Sequence, residues 1–230
     1  RHHGVALGQL SRHFSLLPRF SLLDAGMDDD GAHLWRDYTL CADGVVCHIS
    51  ERIAANLFEL SVPPPLPPPP PQAKVAAMPE PSFGDIMSPA TTGVTLPAGF
   101  TPLQRVLLSA NGNVERIVSS FYAEPVTTVL LRNDAKGGGT YDRCVQLHVR
   151  GSPFMEATSK IRLLRPEWLS AVEVDRVPLG HLFRHKGVLP SFVLVDVGCK
   201  NGRLWRVYTL EANGMACEIR ETYEEDVFDR

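Results

Sequence analysis

The 230-residue sequence predicts an α+β protein built on an antiparallel sheet with helices on one side. Three observations carry that prediction. Apolar runs with a period of two are joined by connections too short for a parallel crossover. Stretches with a helical period lie between them. A segment near the N-terminus also returns near the C-terminus, so the fold is expected once in full and once in half.

The elements of the full copy follow in chain order. Asn111-Gly-Asn113 precedes a stripe of Val114, Ile117, Val118 and Phe121, the i, i+3, i+4, i+7 spacing of an amphipathic helix with an asparagine cap. Residues 126–132 are a β-rich run. Residues 141–150 and 154–163 flank Gly151-Ser-Pro153 and read as a hairpin. Arg165-Pro-Glu-Trp starts a helix with Pro166 in its first turn, and residues 178–185 start another that ends before Pro190. Residues 192–197, 204–211 and 215–221 complete the sheet as three further strands.

The repeat is read from aligned segments. Val5-Ala-Leu-Gly-Gln-Leu-Ser-Arg-His13 matches Val177-Pro-Leu-Gly-His-Leu-Phe-Arg-His185. Leu34-Trp-Arg-Asp-Tyr-Thr-Leu40 matches Leu204-Trp-Arg-Val-Tyr-Thr-Leu210, and Gly44, Cys47, Ile49, Glu51 and Phe58 recur as Gly214, Cys217, Ile219, Glu221 and Phe228. Close to half of the aligned positions are identical. The expected organisation is a partial repeat over 1–60, a linker over 61–97 and a complete domain over 98–230. Eight of the 19 prolines are packed between Pro63 and Pro71 in the linker. Proline fixes φ and has no N–H to donate, so this run should be a polyproline II spacer of about 28 Å. A half copy of about 60 residues would bury too little apolar surface to stand alone. It is expected to pack on the complete copy or on a protein partner, which makes residues 1–97 the candidate partner-binding region.

Composition removes several function classes. A net charge of −3 supplies no footprint for a nucleic acid. No apolar run reaches the 18 or so residues of a membrane span. The 5 cysteines include no CxxC pair, so neither a disulfide framework nor a cysteine metal site is expected, and the set suits a reducing compartment. His181 and His185 have the spacing of zinc ligands on a helix, but no carboxylate or cysteine follows nearby, and no metal is expected. Gly137-Gly-Gly-Thr140 lacks the Lys-Ser/Thr of a phosphate loop and precedes a strand. Asp28-Asp-Asp30 reads as a charged turn. The chain begins at Arg1, as expected of a processed or partial product.

The chemistry lies in charges on the wrong face. In a strand, i and i+2 share a face. Arg143 falls with Val145, Leu147 and Val149; Glu221 falls with Met215, Cys217 and Ile219; Arg206 falls with Leu204, Tyr208 and Leu210. A charge inside a sheet is costly unless paired. These three should therefore pair with one another or line a ligand cavity: two arginines for carboxylates, and a glutamate whose apolar setting favours proton transfer.

These residues resemble the chorismate pyruvate-lyase family. The resemblance rests on Arg143-Cys-Val-Gln-Leu-His-Val-Arg-Gly151, Pro178-Leu-Gly180, Leu204-Trp-Arg206, Gly214 with Glu221 seven residues on, and the opening Leu107-Leu-Ser-Ala-Asn-Gly-Asn-Val114. The last is similar to the branch found in cyanobacteria, mycobacteria and some algal plastids. Thr158-Ser159 stands where that branch has a glutamate–serine pair. The resemblance implies an antiparallel sheet with helical flaps over the ligand. It implies elimination of pyruvate from chorismate to give 4-hydroxybenzoate, or binding of a similar small aromatic carboxylate, without cofactor or metal. It makes Arg143 the holder of the ring carboxylate, helped by the backbone N–H groups of Asn113 and Leu179. Glu221 would sit at the ether or hydroxyl end and Arg206 at the second carboxylate, and a plastid joins the cytoplasm as a candidate location. The alternative is a non-catalytic accessory subunit that reuses the fold within a larger assembly, held there by its proline rod and half copy.

Overall fold

The computed structural model describes residues 18–57, 96–111, 114–177 and 179–228. The proline run, the repeat segment before Pro18, Phe58, Asn113 and Pro178 lie outside the described residues. The chain divides into two units. Both carry antiparallel sheets, and with the helices of the second they give the expected α+β class.

The first unit is a meander of β1 (Arg19–Met27), β2 (His33–Ala42) and β3 (Val45–Ala54), in that spatial order. Asp43 and Gly44, both at positive φ, make the two-residue turn between β2 and β3. The charged turn at 28–30 closes on itself. Asp28 accepts from Arg52 Nη2 at 2.9 Å, and Asp30 accepts from the Ala32 N–H at 2.9 Å.

The second unit is a six-stranded sheet in the order β4-β5-β6-β9-β8-β7, antiparallel throughout. Its strands are β4 (Val126–Gly137), β5 (Thr140–Val149), β6 (Ser152–Leu163), β7 (Ser191–Lys200), β8 (Arg203–Ala212) and β9 (Met215–Tyr223). Its helices are α1 (Pro102–Ser109), α2 (Val114–Tyr122), α3 (Pro166–Glu173) and the short α4 (Leu182–His185), which continues a 3-10 turn at Leu179–His181. No described helix is long and apolar enough to cross a membrane.

The hairpin expected around Gly151-Ser-Pro153 turns one residue earlier. Arg150 and Gly151 hold the positive φ values, and β6 begins at Ser152. Pro153 is tolerated inside the strand because the register slips there, between Leu147 and His148 of β5. Apolar side chains cover the sheet in two clusters. Leu107, Leu108, Val114, Val118 and Tyr122 from α1 and α2 pack on Val145, Leu147, Met155 and Tyr223. Trp168 and Ala171 from α3, with Leu179 and Leu182, pack on Tyr141, Ile161, Met215 and Cys217.

Helix α1 has no counterpart in the strand and helix signals read above, yet its start is written in the chain. Thr101-Pro-Leu-Gln104 is a capping box. The Gln104 N–H donates to Thr101 Oγ1 at 3.3 Å, and the Thr101 N–H donates to Gln104 Oε1 at 2.9 Å. Pro102 at the first position has no N–H to leave unsatisfied.

Candidate functional site

The register sets the three charges on one sheet face. Opposite residues in an antiparallel pair share a face, so the row Val145, Ala157, Glu221, Arg206, Val197 runs across five strands. The neighbouring row is Arg143, Ser159, Ile219, Tyr208, Leu194. Arg143 and Glu221 therefore point to the same side, with β6 between their strands.

Arg206 and Glu221 are buried, with side-chain exposures of 0% and 6%. Arg206 Nε donates to Glu221 Oε2 at 2.6 Å. Tyr208 donates its hydroxyl to Oε1 at 2.8 Å, and Tyr223 donates to Oε2. Arg206 Nη1 reaches the carbonyls of Leu107, at 3.2 Å, Leu108, at 3.1 Å, and Ala110. These carbonyls lie at the C-terminal end of α1, where a helix runs out of backbone donors and a cation suits the dipole; that of Leu107 also accepts the Ala110 N–H at 3.3 Å. Arg206 thus ties α1 to the sheet. Its Nη2 is buried and has no hydrogen-bond partner among the described residues. Burial opposes the charge of Arg206, but Glu221, Tyr223 and Tyr208 together hold its pKa above the ordinary value. Burial, and then the charge of Glu221, push the Tyr208 and Tyr223 phenols well up.

Arg143 occupies a different environment. It is part-buried, burial lowers its pKa with Glu115 opposing, and among the described residues it has no hydrogen bond or ion pair. The 3-10 turn crosses it closely: a Cβ on Gly180 would lie 3.0 Å from Arg143 Nη2. A side chain at Gly180 would press on the guanidinium, so the glycine keeps this approach open. The approach also brings the turn containing Leu179 to the guanidinium. Cys217, on the row beyond, has its thiol pushed up to about 12 by burial, with Arg143 opposing.

A pattern that the sequence reading missed links these arginines. Arg36, Arg143 and Arg206 are each the fourth residue of a ten-residue strand that leads into a two-residue turn of positive φ. Arg36 lies opposite Glu51 and Arg206 opposite Glu221, whereas Arg143 lies opposite Ser159. Two of the three carry their own counter-charge. The third faces a buried hydroxyl.

Of the site residues expected from sequence, Arg143, Arg206 and Glu221 come to one face, Leu179 comes to Arg143, and Asn113 lies outside the described residues. Arg143 and Glu221 do not pair with each other, because Arg206 on the adjacent strand β8 takes the carboxylate. No family model and no curated protein sequence matches the chain.

Proposed function

We propose that the second unit binds a small aromatic carboxylate at Arg143 and, like the chorismate pyruvate-lyase family its motifs resemble, eliminates pyruvate from chorismate to leave 4-hydroxybenzoate. The observation that carries this reading is the Arg143 guanidinium, which has no hydrogen bond or ion pair among the described residues. Arg143 sits where Arg36 and Arg206 each have a glutamate, yet it faces Ser159. A part-buried cation that forms no ion pair among the described residues favours an anionic ligand, and a planar fork favours a carboxylate.

In that reaction one ring carbon loses a proton and its neighbour loses the enolpyruvyl oxygen. The ring becomes aromatic and the side chain leaves as the enol of pyruvate. Aromatisation drives the step, so the protein has mainly to orient, desolvate and balance charge. Glu221 accepts three hydrogen bonds, which leaves about one of its four lone-pair sites, on Oε1, for a ligand hydroxyl. Arg206 is narrowed by its partners: only Nη2 remains for a second carboxylate.

The accessory-subunit reading draws on the same pair. A carboxylate fed by three donors and a guanidinium capping a helix need no ligand to explain them. Titration calorimetry with 4-hydroxybenzoate and a coupled assay for pyruvate released from chorismate separate the two. The enzyme reading expects both signals, and Arg143→Ala should remove them at a cost of about 2–5 kcal/mol in ligand binding. Folded protein that neither binds 4-hydroxybenzoate nor releases pyruvate supports the accessory role.

A further inference from the structure

We propose that the outer edge of β3 is the docking surface for a second copy of this chain, and that two β1-β2-β3 meanders join there into one six-stranded antiparallel sheet. Among the described residues β3 pairs only with β2, along ten residues of unbroken register and without proline. A long regular strand with one open side is a template for another strand. A three-stranded sheet stands alone only with a packed hydrophobic face, and Val45 and Val46 at the start of β3 lie 47% and 57% exposed.

The second unit indicates what such an edge accepts. Strand β9 matches β3 position for position, with Cys47, Ile49 and Glu51 recurring as Cys217, Ile219 and Glu221. Along its outer side β9 pairs with β6, the last strand of another three-stranded antiparallel meander. The β4-β5-β6 and β7-β8-β9 halves thus meet last strand to last strand, as two copies do across a two-fold axis. A second β1-β2-β3 meander supplies the same partner with true symmetry.

The register of the contact follows. In the second unit Ser159 lies opposite Ile219. Ile219 corresponds to Ile49, and Ser159 holds in its own hairpin the place that Glu51 holds in β2-β3. Glu51 of one copy therefore faces Ile49 of the other, and Ser50 faces Ser50 on the axis. Val46 then meets Ala54, which covers an exposed apolar side chain.

Ser50 is exposed in the single chain, so charge placed there tests the contact without disturbing the core. Sedimentation of the full chain at tens of micromolar should give twice the 25.4 kDa chain mass. Ser50→Lys and Ser50→Glu should each weaken the dimer at least tenfold, since each sets like charges face to face, and an equimolar mixture of the two should restore it. Under oxidation Ser50→Cys should cross-link above the background of the unaltered protein. His48→Cys should not, because its two copies would sit about 13 Å apart along the strands, beyond disulfide reach. A monomer at every concentration up to about 100 μM would overturn the proposal and mean that the rest of the chain or a different protein covers the edge. So would a dimer indifferent to charge at Ser50, or equal cross-linking from positions 48 and 50.

Discussion

The first unit and the β7-β8-β9 half of the second build the same charged cluster, and only one of them buries it. In both, the middle-strand arginine pairs with a glutamate on the last strand: Arg36 Nε to Glu51 at 2.7 Å, Arg206 Nε to Glu221 at 2.6 Å. In both, a tyrosine two residues on donates to the same carboxylate, Tyr38 at 2.7 Å and Tyr208 at 2.8 Å. The ring of that tyrosine lies under the guanidinium at 5.1 and 4.7 Å, and against Phe20 and Phe192 at 5.0 and 5.1 Å. Even the bulge recurs, between Leu22 and Asp24 and between Leu194 and Asp196. The pair in the first unit nevertheless has side-chain exposures of 43% and 36%, against 0% and 6% in the second. Among the described residues, two features of the second unit have no counterpart in the first: α1, whose carbonyls take Arg206 Nη1, and Tyr223, which stands where the first unit has Ile53. The cluster is written locally in the hairpin. Its energetic weight is set by what lies on top of it.

Removing the carboxylate is the largest test of that contrast. Glu221→Gln leaves a buried guanidinium without its counter-charge while α1 still depends on it, so unfolding in denaturant should show a loss of about 3–5 kcal/mol. The neutral amide also loses charge-assisted bonds from two phenols. A loss below about 1 kcal/mol would mean that the backbone carbonyls of α1 alone support Arg206. It would also break the distinction between the two units.

The glycine–tryptophan pairs sharpen the comparison on purely steric ground. Gly198 lies opposite Trp205 and Gly26 opposite Trp35, and each indole approaches its glycine closely. A Cβ on Gly198 would come within 2.6 Å of Trp205, and one on Gly26 within 2.8 Å of Trp35. Gly198→Ala should cost about 1–3 kcal/mol, the range for overpacking. Gly26→Ala should cost less, because the more open first sheet can let its indole swing away. Thermal melts followed by tryptophan fluorescence give both numbers. Equal losses would show that the first unit is as constrained as the second.

Much of this is legible in the sequence alone, and the rest is hidden for physical reasons. Strand parity assigns Arg143, Arg206 and Glu221 to one face, because alternation is a property of the strand itself. It does not say which arginine meets the glutamate, since that depends on strand order: β6 separates β5 from β9, while β8 adjoins β9. The carbonyls of Leu107 and Leu108 lie almost a hundred residues from Arg206, so no local signal announces them. Helix α1 is different. Its capping box was legible at Thr101 and Gln104, but the helix is short and its apolar stripe brief. That Arg143 has no glutamate opposite it needed the register, because Ser159 acquires meaning only when set against Glu51 and Glu221.

The smallest expected effect lies in the first unit. There the Tyr38 hydrogen bond, and then Arg36, hold the Glu51 carboxyl below its ordinary value. A depressed carboxyl pKa adds stability at every pH above the unfolded-state value of about 4.3, and loses it as the pH falls through the folded value. Glu51→Gln should therefore matter only on the neutral side of that window and vanish in acid. With both side chains more than a third exposed, solvent screens the pair, and the change should stay within about 1 kcal/mol and shrink further in 1 M salt. Stability curves at pH 7 and pH 3, each at low and high salt, test all three statements. A larger, salt-resistant loss at pH 7 would mean that Arg36 and Glu51 are covered in solution. The first unit would then have acquired from a partner the shielding that α1 and Tyr223 give the second.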